Sequence, residues 1–169
     1  KAISSSSLRI YRSDDRVGAA IGGCLKNVYA IAVGLSDGLG LGDNARAALI
    51  TRCLNEMIEL GSHLGARKDT FVGLSGVGDL IATCTGEWSR NRTFGQSIAR
   101  GKSAKALIDG QKTVVEGYWA TECFYRKSKE AGAVAPVLEQ VYRTLYEGSD
   151  PRSSVIELMS RVLKAEGSC

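Results

Sequence analysis

The sequence predicts an all-α domain, a bundle of about seven helices, and three features carry that prediction. Apolar residues recur at i, i+3 and i+4 spacing through most of the chain. Proline occupies 2 of 169 positions, so long stretches run without a helix breaker. Alternation of apolar and polar residues, the mark of a strand, is confined to Leu8-Arg9-Ile10-Tyr11.

Taken in order, residues 8–11 read as a short strand, ended by the polar break Ser13-Asp14-Asp15. A strand with no partner in its own sequence implies a sheet elsewhere. With the absence of an initiator Met, this suggests a chain that begins inside a longer protein. Residues 1–13 are then the tail of a preceding domain and 14–169 the helical domain.

Val17 to about Leu41 is apolar nearly all round and rich in glycine. Each glycine inside a helix costs ~1 kcal/mol against Ala, so several together point to close backbone packing in a central, buried helix. After the capping region Gly42-Asp43-Asn44, residues Ile50, Cys53, Leu54, Met57, Ile58 and Leu64 form an amphipathic stripe that Gly65 closes. A short turn or helix over 68–72 leads into Gly73-Leu74-Ser75-Gly76-Val77-Gly78-Asp79-Leu80. A helix starts at Ser89, and later ones cover about 117–131, 136–146 and 151–165. Their buried stripes are Val137/Leu138-Val141-Tyr142-Leu145 and Ile156-Met159-Leu163, with Pro136 and Pro151 in first-turn positions where a missing N–H costs nothing.

Composition narrows the function classes. Net charge is 22 − 18 = +4, a surplus that fits small anions such as phosphates, with no basic block to track a nucleic-acid backbone. The cysteines (Cys24, Cys53, Cys84, Cys123 and Cys169) form no CxxC pair and His63 is the lone histidine, which argues against a zinc site and for reduced, buried thiols in the cytoplasm. No run of 18 or more apolar residues appears, so no membrane span is expected.

Lys26 is the leading candidate for chemistry. It lies in the most apolar helix, with Gly22 and Gly23 one turn before it and Tyr29 and Ala30 one turn after. Open space beside those glycines would leave a desolvated ammonium of lowered pKa, suited to proton transfer at a hydroxyl; the competing reading is a lysine snorkelling to the surface. Asp79 reads either as a helix N-cap or as the partner of Lys26. Ser89-Arg90-Asn91-Arg92 joins an N-cap serine to two arginines at a helix start, an anion site or a solvated basic turn. Glu116 would cap the helix that follows or accept bonds from ribose or amide groups. His63, Asp43, Asn44 and Arg46 read as structural.

These features share an order. Gly22-Gly23-Cys24-Leu25-Lys26-Asn27-Val28-Tyr29, Gly38-Leu39-Gly40-Leu41-Gly42-Asp43-Asn44-Ala45-Arg46, Gly76-Val77-Gly78-Asp79-Leu80, Thr83-Cys84-Thr85, Ser89-Arg90-Asn91-Arg92 and Val115-Glu116-Gly117 follow one another at a spacing that resembles the C-terminal domain of the bacterial-type NAD(P)-dependent glycerol-3-phosphate dehydrogenases. The resemblance runs from about Leu8 to Arg161. It implies a fold like the C-terminal domain of 6-phosphogluconate dehydrogenase, and makes residues 8–11 the remnant of a Rossmann domain that is missing here. It also implies interconversion of sn-glycerol 3-phosphate and dihydroxyacetone phosphate, with NAD or NADP bound mainly by that other domain. By the same resemblance Lys26 is the general acid/base. Lys26, Asp79, Ser89, Arg90 and Asn91 hold substrate, and Arg90, Val114 and Glu116 meet the cofactor. The expected partners are the nucleotide-binding domain and a second copy in a homodimer, and the chain alone is expected to be inactive. Two rival readings stand beside it: the helical domain of another two-domain dehydrogenase of β-hydroxyacid type, and a non-enzymatic helical dimerisation module.

Overall fold

A computed structural model describes residues 4–110 and 113–160. Its regular structure is helical throughout, in the order α1 (Arg16–Gly38), α2 (Gly42–His63), α3 (Lys68–Phe71), a π-helical turn (Leu74–Gly78), α4 (Asp79–Thr85), α5 (Arg90–Ala99), α6 (Ala104–Asp109), α7 (Glu116–Glu130), α8 (Pro136–Tyr146) and α9 (Pro151–Met159).

α1 is the axle of the bundle. Asp15 starts it by accepting from Gly18 N at 2.8 Å, and the same carboxylate accepts from Arg67 N at 3.0 Å and Thr70 Oγ1 at 2.6 Å, tying the start of α1 to α3. Leu25, Val28, Tyr29, Ala30, Ile31 and Val33 are fully buried, because α2, α4, α5 and α7 surround the helix. Each such large apolar side chain contributes roughly 1.5–3 kcal/mol of burial. By length and composition α1 could cross a membrane, but two thirds of its apolar stretch is covered by the rest of the protein, as befits a core helix. Close packing explains its glycines. A Cβ on Gly34 would overlap the Arg92 carbonyl of α5, and one on Gly95 of α5 would overlap the Ile31 carbonyl of α1.

α2 ends in a turn that requires glycine. Gly65 has φ +88°, and Ala66 N returns to Gly61 O at 2.9 Å, a helix-closing geometry that L side chains rarely adopt. α8 begins with Pro136 after an Ala135 that cannot cap it. Glu56 of α2 takes over that task, accepting from Val137 N at 2.7 Å, Leu138 N at 2.8 Å and the buried Tyr29 hydroxyl at 3.2 Å.

Several expectations change. Residues 8–11 run as exposed, irregular chain, because a strand exists only through a ladder with another strand and no described residue pairs with them. The described helices exceed seven: α4 and α6 are too short to show a periodic stripe. Gly42, Asp43 and Asn44 form the first turn of α2 itself, after a Leu41 that provides no side-chain cap. On α9 the expected stripe faces outward, with Ile156 and Met159 exposed. The helix packs instead through Ser154, Val155 and Leu158, while Leu163 lies outside the described residues. Cys24 is exposed and Cys123 half-buried, so of the described thiols only Cys53 and Cys84 are buried; burial pushes the Cys84 thiol up to about 12.

Candidate active site

Lys26 lies midway along α1, and its ammonium donates to Asp79 Oδ2 at 2.6 Å. The two side chains keep 24% and 40% of their exposure, so the pair sits in a wall open to solvent and not inside the core. The glycines beside Lys26 do different jobs. Gly23 has open space where a Cβ would be, whereas a Cβ on Gly22 would overlap the Ser75 carbonyl. Gly22 therefore admits the π-helical turn against α1, and that turn carries Asp79 to Lys26. π-Helical turns recur at functional sites because one wide turn re-aims the residues after it. Asp79 already has helical backbone (φ −72°, ψ −33°) and its carboxylate goes to Lys26, so the counter-ion reading holds over the helix-cap reading.

Ser89 caps α5 as the sequence suggests, with extended backbone and its hydroxyl accepting from Arg92 N at 3.3 Å. Arg90 projects from the first turn, 55% exposed, and the ion pair it makes is a loose one of 3.9 Å to Glu116. Its guanidinium is open to an incoming anion, next to the backbone N–H groups of a helix start. A cavity of about 230 Å³ opens beside it, lined by Trp88, Thr93, Ser97 and Thr113. The larger cavity, about 290 Å³, is apolar and lies between α1, α2, α8 and α9, with none of the candidate residues in its wall.

Asn91 is buried. Its Nδ2 donates to Asn27 Oδ1 at 2.9 Å, and its Oδ1 accepts from Gly117 N at 2.9 Å. Its Nδ2 carries a second hydrogen beyond the one given to Asn27. Glu116 is the first residue of α7 and accepts from Asn27 Nδ2 at 3.0 Å. Gly117 lies so close to α1 that a Cβ there would meet Asn27 O at 2.5 Å. Val114 is exposed, two residues before α7. The fold thus makes two bonded groups of the candidates, the Lys26–Asp79 pair and the Asn27–Asn91–Glu116 set, with Arg90 reaching the second through Glu116.

Asn27 joins α1, α5 and α7, the helices of Lys26, Asn91 and Glu116, and the sequence reading passed over it. A signal was present: a carboxamide inside the most apolar helix must find partners once buried. Arg46 likewise does more than start α2, donating to Asp37 and Asp43.

Comparison with known proteins is consistent across sequence and structure. The sequence profile of the NAD-dependent glycerol-3-phosphate dehydrogenase C-terminus matches residues 15–156. A glycerol-3-phosphate dehydrogenase [NAD(P)+] of Syntrophotalea carbinolica is 51% identical over 166 residues, which cover 98% of this chain and 50% of that protein. That of Geobacter sp. (strain M21) is 49% identical over 167 residues, covering 99% and 50%. The crystal structure of the glycerol-3-phosphate dehydrogenase of Coxiella burnetii superimposes with a TM-score of 0.89 at 42% identity, over 94% of this chain and 49% of that one. The yeast glycerol-3-phosphate dehydrogenase structure gives a TM-score of 0.75 at 32% identity, over 87% and 43%. The chain spans about half the length of the curated relatives it matches.

Proposed function

This chain belongs to the family of NAD-dependent glycerol-3-phosphate dehydrogenase C-terminal domains, and from that premise we propose that it is the substrate-binding half of an enzyme interconverting sn-glycerol 3-phosphate and dihydroxyacetone phosphate. The observation that carries the reading is the 2.6 Å Lys26–Asp79 pair in a solvent-open wall of α1; the next residue of that helix, Asn27, is bonded to Asn91 and Glu116. Residues 1–13 are, on this reading, the tail of a nucleotide-binding domain and 14–169 the substrate domain.

NAD or NADP, when bound, supplies the hydride donor or acceptor. The residues on this side fit such a group: Arg90 and Glu116 present exposed, oppositely charged heads, and Val114 an exposed apolar contact next to them. Lys26 is the general acid/base at the C2 oxygen. In the reducing direction it gives a proton from Nζ to that oxygen as the carbonyl carbon is reduced, and its charge stabilises the developing alkoxide. In the oxidising direction a neutral Lys26 takes the hydroxyl proton. Asp79 engages one of the three ammonium N–H directions and leaves two for substrate. Arg90, the Ser89 hydroxyl and the second Nδ2 hydrogen of Asn91 hold the phosphate, an anchor remote from the reacting carbon.

The enzyme is cytoplasmic and homodimeric on this reading, supported by free described thiols and by exposed Trp119, Ile156 and Met159. Turnover is measured as NADH consumption at saturating dihydroxyacetone phosphate, with this chain alone and with a nucleotide-binding domain supplied. Activity is expected after complementation only, and Lys26→Ala should lower it by about 10²–10⁴-fold with helicity intact. A Lys26→Ala protein of full activity, or preference for a carboxylate over a phosphate substrate, would sink the proposal.

A further inference from the structure

The two arginines of Ser89-Arg90-Asn91-Arg92 face opposite ways. Arg90 is 55% exposed, whereas the Arg92 side chain is 18% exposed and turned into the protein. Arg92 Nε donates to Asp37 Oδ2 at 2.6 Å, and Nη1 reaches the carbonyls of Thr85 at 3.4 Å and Gly86 at 3.5 Å. Those carbonyls close α4. The guanidinium therefore grips the end of the helix that begins with Asp79, while its backbone N–H is the group that the Ser89 hydroxyl caps.

Asp37 is anchored in turn. Its side chain is 7% exposed, and its second oxygen accepts from Arg46 Nε at 2.8 Å; Arg46 also reaches Asp43 at 2.7 Å. Four charges thus sum to zero in a cluster spanning α1, α2 and α5. Between the groups that Arg92 holds, the turn 86–89 has little packing of its own: Trp88 is 93% exposed, and the turn's own backbone bond is Ser89 N to Gly86 O at 3.3 Å. Its shape is set from its ends.

We propose that Arg92, held by Asp37, is the positioning residue of anion recognition: it fixes the turn that presents Ser89 and Arg90, and does not itself touch the anion. The inference rests on the phosphate-binding reading above. A planar guanidinium suits the task, because its Nε faces the carboxylate while Nη1 faces the two carbonyls in fixed directions, which an ammonium cannot do.

Asp37→Asn tests it through the sign of the effect. By charge alone, removing a negative group near an anion site strengthens anion binding. Loss of positioning weakens it. Binding of sn-glycerol 3-phosphate to the 169-residue chain is followed by NMR titration, and KM and kcat for dihydroxyacetone phosphate by the complemented assay. Expected are a dissociation constant and KM raised about tenfold or more with kcat within about twofold and an unchanged pH profile of kcat. Val141→Ala, a core change on α8, serves as the stability control and should leave KM alone. An unchanged or lowered KM in Asp37→Asn overturns the inference, as does an equal rise in the control. If Asp37→Asn does not fold, Arg92→Lys decides by the same criterion, since it keeps the charge and loses the fork. Unsubstituted chain that binds no sn-glycerol 3-phosphate removes the phosphate-binding reading and this inference together; normal binding by both variants removes this inference alone.

Discussion

Asn27 carries more of this fold than its neutral side chain suggests. Its Nδ2 donates to Gly23 O at 3.2 Å and to Glu116 at 3.0 Å, and its Oδ1 accepts from Asn91 at 2.9 Å. Asn27→Ala would strand the Nδ2 group of a buried Asn91 and loosen Glu116. Leaving one buried polar group unpaired costs about 1–3 kcal/mol, so the urea midpoint of the variant should fall by that equivalent, and an unshifted midpoint would show that water replaces the amide. At this scale the sequence was legible in part. Lys26 stood out because a charge in an apolar helix needs a reason. The identity of its partner did not, since Asp79 lies 53 residues away and either reading of it satisfied the local pattern. Arg90 and Arg92 are two residues apart with the same side chain, and nothing local distinguishes the open one from the half-buried one.

Among the elements, α1 and α5 share the most extensive contact, and glycines let them come close. Gly34 faces the Arg92 carbonyl and Gly95 the Ile31 carbonyl, so a methyl at either position must push backbone aside. Gly34→Ala should destabilise by about 1–3 kcal/mol through overpacking. Gly23→Ala, in the same helix but facing open space, should be neutral or stabilising by up to ~1 kcal/mol, since alanine is the better helix former. Thermal melts of the two variants make the comparison, and equal effects would refute the packing account. Sequence showed glycines in a helix and hence close packing; which glycine met which backbone it could not show. α9 marks the opposite failure. Two apolar faces were available there, and the one that packs, Ser154 with Leu158, is the less apolar because the neighbouring helices leave room for a small hydroxyl at 154, paired with Thr144 at 3.3 Å.

For the whole molecule, acid is the condition that should unfold it. Thr70, then the Gly18 and Arg67 amides, hold the Asp15 carboxyl below its ordinary range, and Asp69 is lowered by its own backbone N–H and by Arg67. A carboxyl whose folded pKa lies below its unfolded value, about 3.9, contributes stability that is fully present above that value. The contribution is lost as pH falls through the folded pKa. Stability should therefore drop below about pH 4, and Asp15→Asn should flatten that limb of a urea-midpoint-against-pH curve while lowering the plateau; an unchanged limb would exclude Asp15 as a source. The sequence by itself determined the all-α class and the principal helices, because helix periodicity and caps are set by residues within one turn of each other, and it carried the family in the order of its motifs. Only the tertiary structure decided that residues 8–11 form no strand, that Asp79 is the partner of Lys26, that Glu56 caps α8 and that Arg92 braces the turn Arg90 stands on. Each of those depends on which helix lies against which, and that is chosen by the packing of the whole core, where a side chain's partner is fixed by distance in space and not by position along the chain.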